Sequence, residues 1–262
     1  MPPVHPFDLT GRRALVTGAG SGLGLAIAHG LANAGASIIV NGRKADKVRR
    51  AVDALLAGGA SAHPLIFDVT QPEAVAEALD AIEQTLGPVD ILVNNAGVNQ
   101  RAPLESFSEA DWRKLLSANL DGPFHVTRSL IPAMKARRRG KIINICSLAS
   151  DIGRPNIVPY ATSKGGLKMF TRALAVELAP HNIQVNGITP GFFRTEMNAP
   201  LVEDREFSAW VARRTPAGRW GEPAEVAGAA VFLASDAADY VTGHLLAVDG
   251  GSAPRIRCRC ST

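Results

Sequence analysis

Short apolar runs rich in β-branched residues alternate with longer segments of helical period along most of the chain. The pattern predicts strands at 14–17, 37–41, 62–67, 89–94, 141–146, 183–188 and 244–248, and helices at 23–34, 44–56, 72–86, 109–137, 160–179 and 223–234. Strands that alternate with helices become parallel through right-handed crossovers, and the helices cover both faces of the sheet. We therefore expect an α/β fold with a doubly wound parallel sheet, whose ligands bind in the loops that follow the strands.

Length and composition favour one globular domain. The chain has 262 residues, of which 46% are hydrophobic and 20% charged, and no linker-like stretch divides it. We expect a domain over residues 1–252 and a short C-terminal tail over 253–262. The first residues lack the basic and apolar regions of a signal peptide, and no run approaches the ~18 apolar residues of a membrane span. These features predict a cytoplasmic protein that does not enter a membrane.

The cysteines and basic residues give little support to metal or nucleic-acid binding. Cys258 and Cys260 stand close together in the tail, but a zinc site needs further ligands and the six histidines have no metal-binding spacing, so we predict no metal. The basic run at 135–141 follows a helical pattern, and cations favour a helix C-terminus. We therefore predict no nucleic-acid partner. Cys146 precedes Ser147 in a strand, so the two side chains should face opposite ways and Cys146 should be a buried thiol.

A glycine-rich stretch, TGAGSGLG at 17–24, separates the first predicted strand from the first predicted helix. Glycines there permit a tight turn and let a diphosphate approach the helix N-terminus, where free N–H groups and the helix dipole favour anions. The spacing is G-x-x-x-G-x-G rather than the more familiar G-x-G-x-x-G. Alone, the stretch is equally typical of a simple strand-to-helix turn.

Tyr160 and Lys164 lie four residues apart at the start of a predicted helix, so they share one face about 6 Å apart along its axis. An ammonium group stabilises a neighbouring phenolate, which allows a tyrosine to exchange protons at neutral pH. Such a pair is by itself usually a surface feature. Here NNAG at 94–97 follows the fourth predicted strand and Ser147 follows the fifth, so all these groups belong to one edge of the sheet.

Over about residues 7–252, the chain resembles the short-chain dehydrogenase/reductase family. The resemblance rests on five motifs in this order: TGAGSGLG, NNAG, Ser147, YATSK at 160–164 and PG at 190–191. The resemblance implies a Rossmann-type fold that binds NAD(H) or NADP(H) and transfers hydride between the nicotinamide and an alcohol or carbonyl carbon. It implies that Tyr160 is the general acid/base and that Lys164 stabilises the phenolate and binds the nicotinamide ribose. Ser147 would bind the substrate oxygen. Asn119, otherwise a solvent-facing helix residue, would support a proton-relay water.

The resemblance also implies a set of coenzyme-binding residues along the loops. They are Gly18, Ser21, Gly22, Leu23, Gly24, Arg43, Asp68, Val69, Asn95, Ala96, Gly97, Tyr160, Lys164, Pro190, Gly191, Phe193 and Thr195. NAD-specific relatives usually end the second strand with an acidic residue, whereas this chain has Arg43 after that strand. We therefore predict a preference for NADP(H) over NAD(H), with Arg43 on the 2′-phosphate. Ser21 stands where many NADP-preferring relatives have a basic residue.

Within the family, residues 38–48, 94–107 and especially 198–225 resemble the gluconate 5-dehydrogenase group, which interconverts D-gluconate and 5-keto-D-gluconate. Such a substrate needs a cation at the far end of the pocket for its carboxylate. Arg101 follows the fourth strand and Arg154 lies between Ser147 and Tyr160, so both belong to the expected edge of the sheet. We predict that at least one of them binds the carboxylate, with Ser147 and Tyr160 at the reacting carbon.

Two other functions fit the same residues. A 3-oxoacyl-[acyl-carrier-protein] reductase, or another polyol or ketone reductase, would use the same catalytic groups, and the arginines at 137–139 could dock an acidic carrier protein. A non-catalytic dinucleotide-binding protein would have no chemical need for the complete set Asn119, Ser147, Tyr160 and Lys164. The resemblance further implies a homotetramer, with the helices that carry Asn119 and Tyr160 packed between subunits.

Overall fold

Seven strands form one parallel sheet in the computed structural model, which describes residues 5–253. The strands are β1 (Arg13–Val16), β2 (Ser37–Gly42), β3 (Ala62–Ile66), β4 (Ile91–Asn94), β5 (Gly140–Ile145), β6 (Ile183–Pro190) and β7 (Leu245–Val248). Their order across the sheet is β3-β2-β1-β4-β5-β6-β7. The predicted doubly wound α/β fold is therefore confirmed, and the strand order reverses between β1 and β4, where such sheets bind their ligands.

Nine α-helices flank the sheet within the described residues. They are α1 (Gly22–Asn33), α2 (Ala45–Ala57), α3 (Pro72–Leu86), α4 (Glu109–Leu116), α5 (Gly122–Arg137), α6 (Val158–Leu178), α7 (Ala199–Glu203), α8 (Arg205–Arg214) and α9 (Ala227–Ala234). The short helices α7 and α8 are not among the helices predicted from the sequence. Asp204 separates them and begins α8, because its side chain accepts hydrogen bonds from the N–H groups of Glu206 and Phe207.

The helix predicted at 109–137 is not one regular helix. A π-helical turn at Ser117–Asp121 lies between α4 and α5. The wider turn brings Asn119 inside the protein, where it is fully buried. The helical period continues on both sides of this turn, which is why the sequence pattern predicts one unbroken helix.

The core consists of two layers, one on each face of the sheet. Ala14 and Val16 of β1 belong to the layer that contains Leu31 of α1 and Leu233 of α9. Leu15, between them in sequence, belongs to the opposite layer, which is completed by side chains from α3, α5 and α6. Because the central strands are buried on both faces, their sequences are continuous apolar runs rather than alternating ones.

None of the helices between residues 5 and 253 combines the length and the apolarity needed to cross a membrane. In the same part of the chain, no group of three or more His, Cys, Asp and Glu side chains is placed to hold a metal ion. Cys258 and Cys260, and with them nearly all of the expected tail at 253–262, lie outside the described residues.

Candidate active site

A cleft of about 340 Å³ opens where β1, β2, β4, β5 and β6 end. Its volume lies within the range of small-molecule sites, about 300–1,000 Å³. Most of the residues expected to bind coenzyme line it: Gly18, Ser21, Gly22, Leu23, Arg43, Asp68, Val69, Asn95, Ala96, Gly97, Tyr160, Lys164, Pro190, Gly191, Phe193 and Thr195. Ser147 lines it as well. The expected site residues that lie outside the cleft lining are Gly24, Asn119, Arg101 and Arg154.

The floor of the cleft is built from the loops after β1 and β4. Gly18 and Gly22 have φ values of +64° and +61°, which residues with a side chain rarely adopt. A Cβ atom on Gly18 would stand 2.8 Å from the Cα of Ala96, so the two loops touch there. The hydroxyl oxygen of Thr17 accepts hydrogen bonds from the N–H groups of Asn95 and Ala96, both at 3.0 Å. The two loops therefore form one rigid surface.

Gly24 has a packing role in the structure and does not line the cleft. A Cβ atom at this position would lie 2.4 Å from Nδ2 of Asn95 and 2.6 Å from the carbonyl oxygen of Gly18. Glycine is required because the first turn of α1 packs directly against the loop after β4. The glycine-rich motif alone does not distinguish a packing role for Gly24 from contact with the coenzyme.

The N-terminus of α1 faces the middle of the cleft through Gly22 and Leu23. The side chain of the N-cap residue, Ser21, makes no capping hydrogen bond, and the first turn contains no acidic residue. The N–H groups of this turn are therefore available to an anion, and the helix dipole favours one. This donor set fits the diphosphate of a nicotinamide dinucleotide.

One end of the cleft is formed by Arg43 and Asp68. The guanidinium of Arg43 lies 3.4 Å from the Asp68 carboxylate, and its side chain is 61% exposed. Burial raises the pKa of Asp68, but hydrogen bonds from the N–H and hydroxyl of Thr70, together with the charge of Arg43, outweigh burial and leave it below its usual value. This end therefore combines a fixed carboxylate with a solvent-accessible cation.

The other end of the cleft contains Ser147, Tyr160 and Lys164. Lys164 is 5% exposed, and its Nζ atom donates a 2.7 Å hydrogen bond to the carbonyl oxygen of Ile145. Nζ also lies 6.0 Å from the centre of the Tyr160 ring. The hydroxyl of Ser147 accepts a hydrogen bond from the N–H of Ala149 at the end of β5. A hydroxyl, a phenol and an ammonium thus line one end of the cleft, and backbone contacts hold the hydroxyl and the ammonium.

Asn119 lies behind the cleft wall, not in solvent. Its Oδ1 atom accepts from the N–H of Val98 at 2.8 Å, and its Nδ2 atom donates to the carbonyl oxygen of Val98 at 2.9 Å. Nδ2 also donates to the hydroxyl of Ser163 in α6. The π-helical turn therefore fixes the loop after β4 and joins it to the helix that carries Tyr160.

Arg101 and Arg154 meet above an aromatic cluster formed by Phe192, Phe207, Trp210 and Trp220. The guanidinium carbon of Arg101 lies 5.5 Å from the centre of the Phe207 ring. That of Arg154 lies 5.1 Å from the centre of Phe192 and 5.9 Å from that of Trp210. Cations at such distances are attracted to the ring faces. The aromatic cluster therefore sets the positions of both arginines.

The two guanidinium groups are close enough to repel each other. Burial lowers the pKa of Arg154, the charge of Arg101 lowers it further, and Tyr160 acts in the opposite direction. Neither arginine forms a salt bridge with any residue between 5 and 253. A partly buried guanidinium, that of Arg154, therefore stands near Tyr160 beside the exposed guanidinium of Arg101, and neither has a negative partner among residues 5–253.

Several residues of the cleft were not predicted from the sequence. Asn99 follows NNAG by two positions, and Glu196, Met197 and Asn198 continue the segment after PG. Glu196 forms an ion pair with Lys47 of α2, at 2.6 Å from oxygen to Nζ. Proximity to the two motifs was the available signal for these residues. The ion pair itself joins positions 149 residues apart and has no local signature.

Cys146 is buried, as predicted, with 2% of its surface exposed. Burial raises the pKa of its thiol to about 11. A thiol in this environment stays protonated at neutral pH and is a poor nucleophile. Its position next to Ser147 is therefore structural.

A nicotinamide dinucleotide site and a Ser, Tyr and Lys group at the carboxyl edge of a doubly wound sheet define a dehydrogenase or reductase. A family model described as enoyl-(acyl carrier protein) reductase matches residues 18–253. Gluconate 5-dehydrogenase of Gluconobacter oxydans (strain 621H) is 49% identical over 249 residues, which are 94% of this chain and 97% of that protein. The 5-keto-D-gluconate 5-reductase of Escherichia coli (strain K12) is 49% identical over 245 residues, 94% and 96% of the two chains.

A solved structure gives the same result. The gluconate 5-dehydrogenase from Burkholderia cenocepacia J2315, in complex with NADP and tartrate, is 48% identical and has a TM-score of 0.92, with 94% of this chain and 97% of that chain covered. This protein belongs to the short-chain dehydrogenase/reductase family and is an NAD(P)-dependent oxidoreductase.

Proposed function

We propose that this protein interconverts D-gluconate and 5-keto-D-gluconate and prefers NADP(H) as its coenzyme. The observation that carries the proposal is the pair Arg101 and Arg154, two neighbouring guanidinium groups that form no salt bridge within residues 5–253, with Arg154 close to Tyr160. A substrate whose carboxylate lies several carbons from its reacting carbon would bring a negative charge to this pair. The two relatives at 49% identity are named for this substrate pair, which supports the same choice.

The proposed coenzyme site follows from the cleft. The turn that begins α1 would bind the diphosphate, and Arg43 would bind the 2′-phosphate of NADP(H) by a charge-assisted contact. Lys164 would hold the nicotinamide ribose. When bound, the coenzyme donates or accepts the hydride. The B. cenocepacia relative was solved with NADP, in agreement with this proposal.

The catalytic roles that we propose belong to the other end of the cleft. Tyr160 gives its hydroxyl proton to the substrate oxygen during reduction and recovers it during oxidation. Ser147 holds that oxygen by a hydrogen bond. Lys164, anchored on the carbonyl oxygen of Ile145, stabilises the phenolate of Tyr160. Asn119 fixes the loop at Val98 and supports the water that returns the proton.

An acyl-carrier-protein substrate is the second candidate, because the matching family model carries such a name. The arginines at 137–139 would then bind the acidic carrier. However, Arg137 already donates to the carbonyl oxygen of Val89, and Arg138 donates to that of Pro180. These contacts hold two of the three side chains against the protein, so a sugar acid is favoured over a carrier protein.

We also propose a homotetramer that works in the cytoplasm. Phe124 of α5 and Met169 and Val176 of α6 are 43%, 60% and 78% exposed. These apolar side chains lie on the helices that the family resemblance places between subunits. The free thiol of Cys146 suits a reducing compartment.

The test measures NADPH absorbance with purified protein and four substrates: 5-keto-D-gluconate, D-gluconate with NADP⁺, an uncharged ketose and an acetoacetyl thioester. We expect turnover with the two sugar acids to exceed turnover with the others. Arg101→Ala or Arg154→Ala should raise KM for 5-keto-D-gluconate roughly tenfold or more, since a charge-assisted hydrogen bond contributes on the order of 1.5–3 kcal/mol. In either variant, KM for the uncharged ketose should stay unchanged.

Arg213→Ala is the matched control, because Arg213 is an exposed arginine in α8, the helix that carries Phe207 and Trp210. We expect it to keep the KM of the native enzyme. A thioester turned over faster than either sugar acid, or an unchanged KM in both the Arg101 and the Arg154 variant, would contradict the proposed substrate.

A further inference from the structure

We infer that Asn99 determines substrate specificity by binding a hydroxyl group of the polyol chain through its side-chain amide. The inference rests on the proposed function, because it assigns a second recognition element to the same substrate. It concerns a residue that neither the motif order nor the pattern of charges singles out.

The amide of Asn99 contains a buried acceptor without a partner. Its Oδ1 atom is enclosed and makes no hydrogen bond with residues 5–253. Burial of an unpaired polar atom is unfavourable, and folded proteins satisfy nearly all such atoms. Asn99 lines the cleft together with Ser147 and Tyr160. Because no hydrogen bond to residues 5–253 holds Oδ1 in its enclosed position, the amide can turn towards a ligand in the cleft without losing a protein contact.

The other buried atoms without a partner in this part of the chain have different surroundings. Oδ1 of Asn94 is one of them, but the Nδ2 atom of the same amide bonds to Thr127 and Asn144 within the protein interior. Nε of Arg137 belongs to a guanidinium that is already bound to a carbonyl oxygen. Among the three, Asn99 combines an unpaired atom with a wall position in the cleft.

The backbone on both sides of Asn99 is held in place before any ligand binds. Both polar groups of the preceding residue, Val98, are bonded to Asn119. Farther along the loop, the N–H of Ala102 donates to the carbonyl oxygen of Asn156. The loop therefore loses little conformational freedom when a ligand binds, and only the Asn99 side chain has to be ordered.

The spacing between Asn99 and Arg101 matches one acid-sugar molecule. Two residues of chain span at most about 7 Å, so the amide and the guanidinium serve neighbouring parts of a single ligand. An amide offers both an acceptor and donors, as does the hydroxyl group that it would bind. The loop at 98–102 therefore carries a hydroxyl-binding and a carboxylate-binding group side by side.

The experiment compares two ketones of equal length and charge that differ in their hydroxyl groups: 5-keto-D-gluconate and 5-oxohexanoate. In Asn99→Leu, we expect kcat/KM for 5-keto-D-gluconate to fall at least roughly tenfold, because a site built to hydrogen-bond a hydroxyl discriminates strongly. The value for 5-oxohexanoate should change little. Asn99→Gln keeps the amide and should recover part of the loss.

Two further measurements separate this role from a structural one. The dissociation constant of NADPH should stay unchanged in Asn99→Leu, and the Tm without ligand should stay equal or rise, because the leucine leaves no unpaired acceptor. An equal loss of kcat/KM for both ketones, a weaker NADPH complex or a lower Tm would overturn the inference.

The outcome also distinguishes this inference from the proposed substrate. If the native enzyme reduces an uncharged ketose but not 5-keto-D-gluconate, the proposed substrate is wrong. The native enzyme and Asn99→Leu are then compared with that ketose and its deoxy analogue. If the ratio of the two kcat/KM values is the same in both proteins, the inference itself is overturned.

Discussion

Tyr160 is one of two tyrosines in the chain, and the other, Tyr240, is fully exposed to solvent. Tyr160→Phe removes a hydroxyl from the cleft and changes little else. We expect kcat to fall by about 10²–10⁴, the usual contribution of general acid/base catalysis, while the dissociation constant of NADPH stays close to the native value. Steady-state kinetics and a fluorescence titration measure the two quantities. Tyr240→Phe is the matched control, and retained turnover in Tyr160→Phe would exclude the proposed role.

Arg43 provides a second test at the level of single residues. Its guanidinium is exposed beside Asp68 at the end of the cleft where a 2′-phosphate would lie. Arg43→Ala should raise the dissociation constant of NADPH roughly tenfold or more and leave that of NADH nearly unchanged, since loss of about 1.4 kcal/mol is a factor of ten. Arg50→Ala removes an exposed arginine from α2, the helix that follows Arg43, and serves as the control. Equal weakening of both coenzymes would contradict the contact.

The sequence predicted residues that belong to a motif and missed residues that depend on contacts between distant segments. Gly18, Tyr160 and Lys164 lie in short motifs that indicate their chemical roles, and all three line the cleft. Asn99 carries no such pattern, because its importance comes from an acceptor that only the folded chain leaves unpaired. Arg101 and Arg154 were predicted for their charge, but their placement over the aromatic cluster could not be read from spacing.

Among the secondary structure elements, the short helical turn at Pro223–Val226 before α9 is held by an ion-paired cap. Glu225 accepts two hydrogen bonds from Arg219 and one from the N–H of Glu222, all at 2.7 Å. The bonds from Arg219, and then the one from Glu222, lower the pKa of Glu225 to about 2. A carboxyl whose pKa is lowered in the folded state stabilises the protein above its unfolded pKa and loses that effect as the pH falls.

Glu225→Gln should therefore lower the free energy of unfolding at neutral pH, and its difference from the native protein should shrink as the pH falls from about 4.3 towards 2. Because the carboxylate is exposed, solvent screening keeps the effect small. Urea unfolding at several pH values measures it. Asp46→Asn removes a carboxylate from an exposed pair on α2 and is the control. A difference that stays constant with pH would show that the carboxylate charge is not responsible.

The elements themselves were largely predictable, because continuous apolar runs indicate buried parallel strands and a period of about 3.6 residues indicates amphipathic helices. Their ends were not. The π-helical turn at Ser117–Asp121 preserves the pattern on both sides, so no periodicity reveals it. The caps at Asp204 and Glu225 depend on side-chain contacts that form in the folded chain.

For the whole molecule, the exposed apolar face of α6 leads to a prediction about assembly. Val176 is 78% exposed, and Met169 lies two helical turns before it on the same face. In the proposed tetramer, Val176→Glu would bury a charge at the subunit contact and should shift the protein to smaller species in light scattering. Glu177→Gln, next to it in α6, should keep the native mass. A native protein that is already monomeric would refute the tetramer.

The ion pair between Lys47 and Glu196 has a consequence for the order in which ligands enter. Lys47 belongs to α2, and Glu196 begins the segment that leads to α7 and α8. A molecule seated against the glycine loop therefore lies beside this segment, whose residues Glu196, Met197 and Asn198 line the same cleft. We expect compulsory ordered kinetics, with coenzyme first on and last off. Product-inhibition patterns would reveal this order, and a random pattern would mean that the two halves of the cleft fill independently.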